Sequence, residues 1–402
     1  MYEELAVLAL FVFFYSVVAR RIEVTVVSGP MVFVLAGFVM GPLVLGWFES
    51  EVTSTGLRVV ADLTLALVLF IDAAHADLST LRKHFQIPAR MLVIGLPGVI
   101  ALGFVFAALL FPELTLFEAA ILGTMLAATD AALGKAVITN KDVPVRVREG
   151  LNVESGLNDG LCVPILFVFI ALAEGTATDA TAAALTLVAE ELGIGLLVGL
   201  AMAGAGGPLL RACWNRGWLT EVWVHIAVAA LALGAFAIAQ SLHGSGYIAA
   251  FAGGLLFGSI AGKDRSDVLL VAEADGETLA LLTWLGFGAA VIGQYFELFT
   301  WQVFAYAALS LTVVRVVPVV LSLTGSGEPA ATRLFLGWFG PRGLASVVFA
   351  IIVLNTDLPG APFVAVVVAC TVFASLVAHG MSANPLAKRL ASIEGGTGQK
   401  PK

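Results

Sequence analysis

Of 402 residues, 59% are apolar and only 12% charged, about half the charged share of an ordinary soluble domain, which leaves too little polar surface for a water-soluble fold. The formal net charge of −8 sits mostly in connections and says little about partners; nucleic acid is not expected among them. The apolar residues fall in runs of roughly 18 to 25, the length at which a helix rising about 1.5 Å per residue crosses a hydrocarbon core about 30 Å thick.

These runs predict an all-α membrane protein of about 13 transmembrane helices. Span 1, near 5–19, follows Glu3 and Glu4 rather than a basic region, so it reads as a retained helix and not as a cleaved signal. Span 2 lies near 30–47. Span 3, near 57–75, carries Asp62 and Asp72 at bilayer depth, and span 4 covers 89–112. Span 5, 116–139, holds Thr129 and Asp130 at its centre with Gly134 and Lys135 following, and span 6, 149–173, holds Glu154 and Asp159. Spans 7, 8 and 9 fall near 191–212, 221–241 and 246–262, with His225 and His243 towards opposite faces. Span 10 lies near 275–295, and span 11, 299–323, carries Arg315 and Pro318. Span 12, 330–354, contains Gly337-Trp338-Phe339-Gly340-Pro341-Arg342-Gly343, and span 13 covers 360–382. Residues 1–390 therefore read as one membrane domain. Residues 391–402, with Gly395, Gly396, Gly398 and Pro401, read as a short solvated cytoplasmic tail, and no nucleotide-binding or regulatory domain is expected after the last span.

Lysine and arginine set the orientation, because positive connections resist translocation. Alternate connections hold Arg20 and Arg21; Arg82, Lys83 and Arg90; Lys141, Arg146 and Arg148; Arg211 and Arg216; Lys263 and Arg265; Arg333; and Lys388, Arg389, Lys400 and Lys402. The intervening ones hold Glu49, Glu51, Glu113, Glu174, Asp179, Glu297 and Asp357. The amino terminus is therefore expected outside, the carboxyl terminus in the cytoplasm and the protein in a plasma membrane. Cys162, Cys213 and Cys370 are far apart without metal-ligand spacing and read as small apolar residues.

An ionisable group at bilayer depth costs several kcal/mol unless it finds a partner or water, so each is a candidate for function. The densest cluster joins Thr129-Asp130 to Glu154-Ser155-Gly156-Leu157-Asn158-Asp159. On a helix Ser155 and Asp159 share a face, whereas Glu154 points about 140° away, so the two carboxylates should have different neighbours. Ser155 and Asp159 offer hard oxygen ligands suited to an alkali cation. Glu154 calls for a fixed positive partner, for which Arg342 is the candidate; Arg315 is expected to anchor the inner half of span 11. A glycine and proline group inside span 12, and Thr129-Asp130 inside span 5, predict broken helices, tolerable only against protein or a water-filled cavity. Grouping spans 2–7 and 8–13 gives two inverted halves, with the interrupted helix fourth in one and fifth in the other, as in secondary transporters.

At these residues the sequence resembles the sodium/proton antiporters of the first cation/proton antiporter family, the NhaP-like exchangers and their animal relatives. Supporting matches are Leu69-Phe70-Ile71-Asp72, Ser245-Gly246-Tyr247-Ile248-Ala249 with Gly253-Gly254-Leu255, and Gly340-Pro341-Arg342-Gly343. The resemblance implies a homodimer of 13-helix protomers, each with a core bundle moving against dimerisation helices. It implies that Asp159 takes either a cation or a proton, with Na⁺ held by Asp159, Asp130, Ser155 and the Thr129 carbonyl, and Asp72 assisting. It implies that Asn158 stands where electrogenic relatives carry a second aspartate, so that Na⁺ (or Li⁺) exchanges one for one with H⁺, and that Glu154 and Arg342 form a structural ion pair. The family usually has proline after the Thr-Asp pair, and here Ala131 stands instead, followed by Lys135, which can snorkel towards the cytoplasm.

Other readings remain beside this one. K⁺/H⁺ exchange on the same scaffold uses the same oxygen ligands, and a channel or sensor would share the polar path without needing the fixed ion pair. An intramembrane hydrolase is not expected: Ser245, in His243-Gly244-Ser245-Gly246, has no histidine placed to serve it at depth, so neither an enzyme nor a cofactor is anticipated.

Overall fold

A computed structural model describes residues 2–397 apart from 24–26, 48–49, 76–85, 131–132, 134, 139, 141–142, 176–177, 263–264 and 293–294. Ala131, Arg82, Lys83, Lys141, Lys263 and the tail residues 398–402 thus lie outside the described residues, as do the side chains of Lys135 and Arg265. The described residues contain helices and no strand.

In chain order the helices are α1 (Tyr2–Glu23), α2 (Gly29–Met40), α3 (Ser50–His75), α4 (Gln86–Leu110), α5 (Leu116–Met125), α6 (Lys135–Ile138), α7 (Val145–Glu174) and α8 (Thr178–Asn215). They continue with α9 (Glu221–Ser241), α10 (Gly246–Ala261), α11 (Arg265–Phe287), α12 (Trp301–Ser322), α13 (Ala330–Trp338), α14 (Leu344–Leu354) and α15 (Ala361–Thr397). Each predicted span overlaps one helix or a broken pair, spans 5 and 12 being the pairs α5/α6 and α13/α14. Among the described residues seven helices are long and apolar enough to cross a membrane, and α2, α5, α10 and α14 are shorter apolar segments. The expected tail is corrected in its start: α15 stays helical to Thr397, running on through Pro385 and through Gly395 and Gly396.

The helices sort into two packed bundles. One comprises α1–α3 and α8–α11; the other comprises α4–α7 and α12–α15; α7 joins them by lying against α3, α8 and α10, and α14 by lying against α3 and α11. Cys162 and Cys370 are buried and Cys213 partly so, all with free thiols. Three of the basic connections meet: Arg90 donates to the Ser322 and Thr324 carbonyls, Arg146 pairs with Glu328 at 3.1 Å, and Arg333 reaches the Thr324 hydroxyl.

The internal repeat has a different register from the expected one. Span 4 contains a π turn at Met91–Gly95 and span 11 one at Ser310–Val314, and the broken helices are spans 5 and 12, so both irregularities recur seven spans apart, although a third π turn, Gly288–Ile292 in span 10, has no counterpart in span 3. An odd interval inverts direction across the membrane. Spans 1–6 therefore pair with 8–13, span 7 stands between them, and the broken helix is fifth in both halves.

Glycine governs how closely α10 approaches α3. A Cβ on Gly258 would lie 2.7 Å from the Ala74 Cα, and one on Gly254 would lie 2.9 Å from the Phe70 Cα, both backbone atoms that cannot yield. A Cβ on Gly204 would meet only the Leu256 side chain, at 3.6 Å. Gly258→Ala should therefore lower the melting temperature in detergent, by the ~1–3 kcal/mol typical of overpacking, whereas Gly204→Ala should leave it unchanged.

Candidate functional site

The two breaks lie against each other. Between α5 and α6 the chain is non-helical at 128–130, and between α13 and α14 at 339–343. The Asp130 amide donates to the Pro341 carbonyl at 2.8 Å, and the Asp130 carboxylate accepts the Leu344 amide at 2.9 Å and the Leu133 amide at 3.2 Å. A Cβ on Gly343 would collide with that carboxylate, so glycine is what lets the aspartate reach the start of α14. Arg342, fully buried, turns the other way and donates through Nη1 to the Ala127 and Ala128 carbonyls at 3.1 and 3.3 Å. The Ser346 hydroxyl takes the Met125 carbonyl at 2.7 Å. Span 5 thus unwinds without the family's usual proline, because side chains of span 12 and α7 accept or donate what its backbone frees.

Thr129 is held from the α7 side. Its amide donates to Asn158 Oδ1 at 3.2 Å, its hydroxyl oxygen accepts from Asn158 Nδ2 at 2.6 Å, and its carbonyl accepts the Ser155 hydroxyl at 2.7 Å. Asn158 Nδ2 also reaches Glu154 Oε1 at 3.3 Å. The side-chain amide is used here as both donor and acceptor, a combination an ionised aspartate in its place could not supply. Asp159, 5% exposed, lies one helical turn beyond Ser155, and its Oδ1 is without a hydrogen-bond partner. Asp72, Asp130 and Glu154 are its charged neighbours; Asp72 is half-buried on α3, and a Cβ on Gly156 would lie 3.2 Å from the Asp72 carbonyl.

The expected Glu154–Arg342 pair is corrected. Glu154 is gripped at both oxygens by Arg315, Nη1 to Oε1 at 2.8 Å and Nη2 to Oε2 at 3.1 Å, with the pair 1–2% exposed. Arg315 directly follows the π turn of α12, and the extra residue rotates the helix face by about 100° and turns the guanidinium inward. Gly340 makes room for it, since a Cβ there would collide with the Arg315 guanidinium. Arg342 remains beside the cluster, bound to carbonyls rather than to a carboxylate.

A narrow pocket, with room for about one water, reaches this cluster, lined by Thr129, Asp130, Glu154, Ser155 and Pro341 and, farther out, by Val137, Ile138, Leu151 and Phe339. It runs towards the amino-terminal end of α7, the end bearing Arg146, and Asp159 is not among its lining residues. The other candidates have structural partners. Asp62 accepts the Tyr247 hydroxyl at 2.6 Å and pairs with Arg58 at 3.8 Å; Ser245 caps α10 by accepting the Ile248 amide; His225 Nδ1 lies 3.1 Å from the Val268 carbonyl. Two buried groups went unforeseen. Glu118 accepts the Gly360 amide at 2.7 Å and closes a capping box with Thr115, a pattern legible as Thr-x-x-Glu. His379 joins α15 to the break in span 12.

These features define a multi-pass helical membrane protein whose two interrupted helices cross over a buried cluster of carboxylate, hydroxyl and carbonyl oxygens. The profile described as "Sodium/hydrogen exchanger, transmembrane" matches residues 6–389, and the chain belongs to that family. It is similar to the K(+)/H(+) antiporter NhaP2 of Shewanella sp. (strain MR-4), 25% identical over 381 residues, covering 94% of this chain and 65% of that protein. It is similar to the Na(+)/H(+) antiporter NhaP of Pseudomonas aeruginosa, 28% identical over 356 residues, covering 81% of this chain and 80% of that protein. The chain thus spans just under two thirds of the NhaP2 relative and most of the NhaP one. Its fold matches the sodium proton antiporter MjNhaP1 of Methanocaldococcus jannaschii at pH 8 with a TM-score of 0.79, at 22% identity, over 97% of this chain and 99% of the other.

The Arg315 assignment predicts a specific pattern of stability. Arg315→Met or Glu154→Gln alone should cost about 3–5 kcal/mol by leaving one buried partner uncompensated, and the double variant should recover most of it. Pairing Glu154→Gln with Arg342→Met should give no such recovery. Thermal melting of the four purified variants measures the coupling.

Proposed function

We propose that the chain exchanges a monovalent cation for a proton across the membrane, with Asp159 as the carboxylate that carries either one. The observation that supports this most is the contrast inside the cluster: the oxygens of Thr129, Asp130, Glu154 and Asn158 are engaged with partners, whereas buried Asp159 keeps Oδ1 unengaged. A bare carboxylate at bilayer depth is costly, so Asp159 has to hold a proton or a cation to pass between the two sides. Binding one expels the other, and an empty site does not cross.

In this reading Na⁺ or Li⁺ is bound by Asp159, the Ser155 hydroxyl and the Thr129 carbonyl, with Asp72 adding negative charge nearby. Asp130 serves mainly by holding the crossing, since its oxygens accept the Leu133 and Leu344 amides. Asn158 is neutral and committed to Thr129, which leaves one titrating carrier and favours one-for-one, electroneutral exchange. By the positive-inside rule the cavity at Ser155 opens towards the cytoplasm, with the amino terminus outside, in a plasma membrane. The protein acts as a homodimer, as the family resemblance implies. K⁺ in place of Na⁺ is the second reading, favoured by the name of the NhaP2 relative.

The test uses liposomes holding a pH gradient and a pH-sensitive dye, with membrane potential clamped and Na⁺, Li⁺ or K⁺ added. Cation-driven proton movement that survives the clamp and disappears in Asp159→Asn is expected, and the ion that elicits it selects between the two readings. Equal activity in Asp159→Asn, or silence with all three ions, overturns the proposal.

A further inference from the structure

One face of α15 carries polar groups that the exchange reading leaves without a task. Ser375, His379 and Ser382 stand at i, i+4 and i+7, a single stripe of the helix, and all three touch the break in span 12. His379, 4% exposed, places Nε2 2.9 Å from the Trp338 carbonyl and Nδ1 3.0 Å from the Ser375 hydroxyl oxygen and 2.9 Å from its carbonyl. The Ser375 hydroxyl oxygen accepts the Arg342 amide at 2.7 Å. The Trp338 indole donates to the Ser382 hydroxyl at 2.8 Å, and its ring packs on the imidazole at 5.2 Å between centroids.

A neutral imidazole protonated on Nε2 satisfies the chain from Trp338 through Ser375 to Arg342, though not the approach of Nδ1 to the Ser375 carbonyl. Nε2–H donates to the Trp338 carbonyl, Nδ1 accepts the Ser375 hydroxyl proton, and the same hydroxyl oxygen receives the Arg342 amide. Trp338 is the last residue of α13, and Arg342 lies two residues before α14. The relay therefore ties both sides of the unwound stretch to one rigid helix, across the carbonyl and amide, of Pro341 and Leu344, that hold Asp130.

We infer that His379, acting through Ser375, is a positioning residue that fixes the spacing of the unwound segment 339–343 and so keeps Asp130 and Thr129 in register with α7. A histidine that merely filled space would not tie both ends of the break, and its loss would loosen the bundle generally rather than at Arg342.

Hydrogen–deuterium exchange on the intact purified protein tests this independently of transport. Ser375→Ala should raise exchange of the peptide covering 339–344 about tenfold, the loss expected for one buried hydrogen bond, while a peptide within α9 stays unchanged. In liposomes the same variant should raise the half-saturating cation concentration about fivefold at a nearly unchanged maximal rate. Ser375→Thr, which keeps the hydroxyl, should restore both readouts, and His379→Phe should reproduce the defect. Should His379→Phe fail to fold, the serine pair still decides. The inference is overturned if exchange at 339–344 matches wild type, if it rises equally along the whole chain, or if threonine fails to rescue. The liposome readout rests on the exchange reading; if wild type moves no cation, that reading fails while the hydrogen-exchange result stands.

Discussion

A backbone that leaves the helix inside a bilayer needs a new partner for each amide and carbonyl it frees, since hydrocarbon offers none. Two such stretches occur here, and they partner each other. Asp130 joins them with its amide and its carboxylate, and Arg342 joins them with its guanidinium. The arrangement also places each charge where helix dipoles favour it. The Asp130 carboxylate meets the first amide of α14, the positive end of that helix, and the Arg342 guanidinium meets carbonyls just past the end of α5, its negative end. Two ionic side chains that would be prohibitive in isolation are thereby given complementary surroundings, and the crossing can remain open enough to reach from a cavity.

The Glu154–Arg315 pair extends the same constraint to a third helix. It binds α7 to α12, and Asn158, one turn along α7, ties Glu154 to Thr129. Crossing, ion pair and amide lock form one connected polar network, in which Asp159 Oδ1, Arg315 Nε and Arg342 Nε and Nη2 are left without a hydrogen-bond partner. Such networks act as a unit, because leaving any member unpaired incurs the full desolvation cost of that group. The geometry of Asp159 is then set by groups it does not touch, including Arg315 through Glu154 and Ser375 through Arg342.

Most of the architecture was legible because its cause is compositional. Apolar runs locate the helices, and Gly340-Pro341 and Thr129-Asp130 mark the breaks, since those residues are poor helix formers where helices ought to be continuous. The partner of Glu154 was not legible. Spacing along α7 assigns a face but says nothing about which distant helix lies opposite, and the inward turn of Arg315 depends on a π turn with no clear sequence signature. The repeat register was missed for a related reason: counting spans gives two halves only after the unpaired one is known, and the matching π turns that identify it are backbone features. His379 escaped because a neutral imidazole does not announce itself as a charge in an apolar span, although Ser375 four residues earlier on the same face was a usable sign.

The proposed exchange asks little of the site beyond what the network already provides. On that proposal the Ser155 hydroxyl, which donates to the Thr129 carbonyl and lines the pocket, is the group that turns to meet a cation. Turning that one hydroxyl frees two oxygen lone-pair directions towards a cation without disturbing the bonds that hold Asp130, Asn158 and Glu154. A rotation of this kind is small compared with unwinding a helix, so the helix breaks need not form and reform with each turnover; they are held permanently by side chains. On the proposed exchange the motion between the two sides is left to the bundles, whose contacts include α7 against α3 and α14 against α3 and α11. There Gly156 gives α7 a close seat against Asp72, so a shift of one bundle against the other changes the distance between Asp72 and Asp159 directly. Because both groups are acidic, that distance sets how strongly the site demands a positive ion, and bundle position and ion occupancy become two sides of one electrostatic balance.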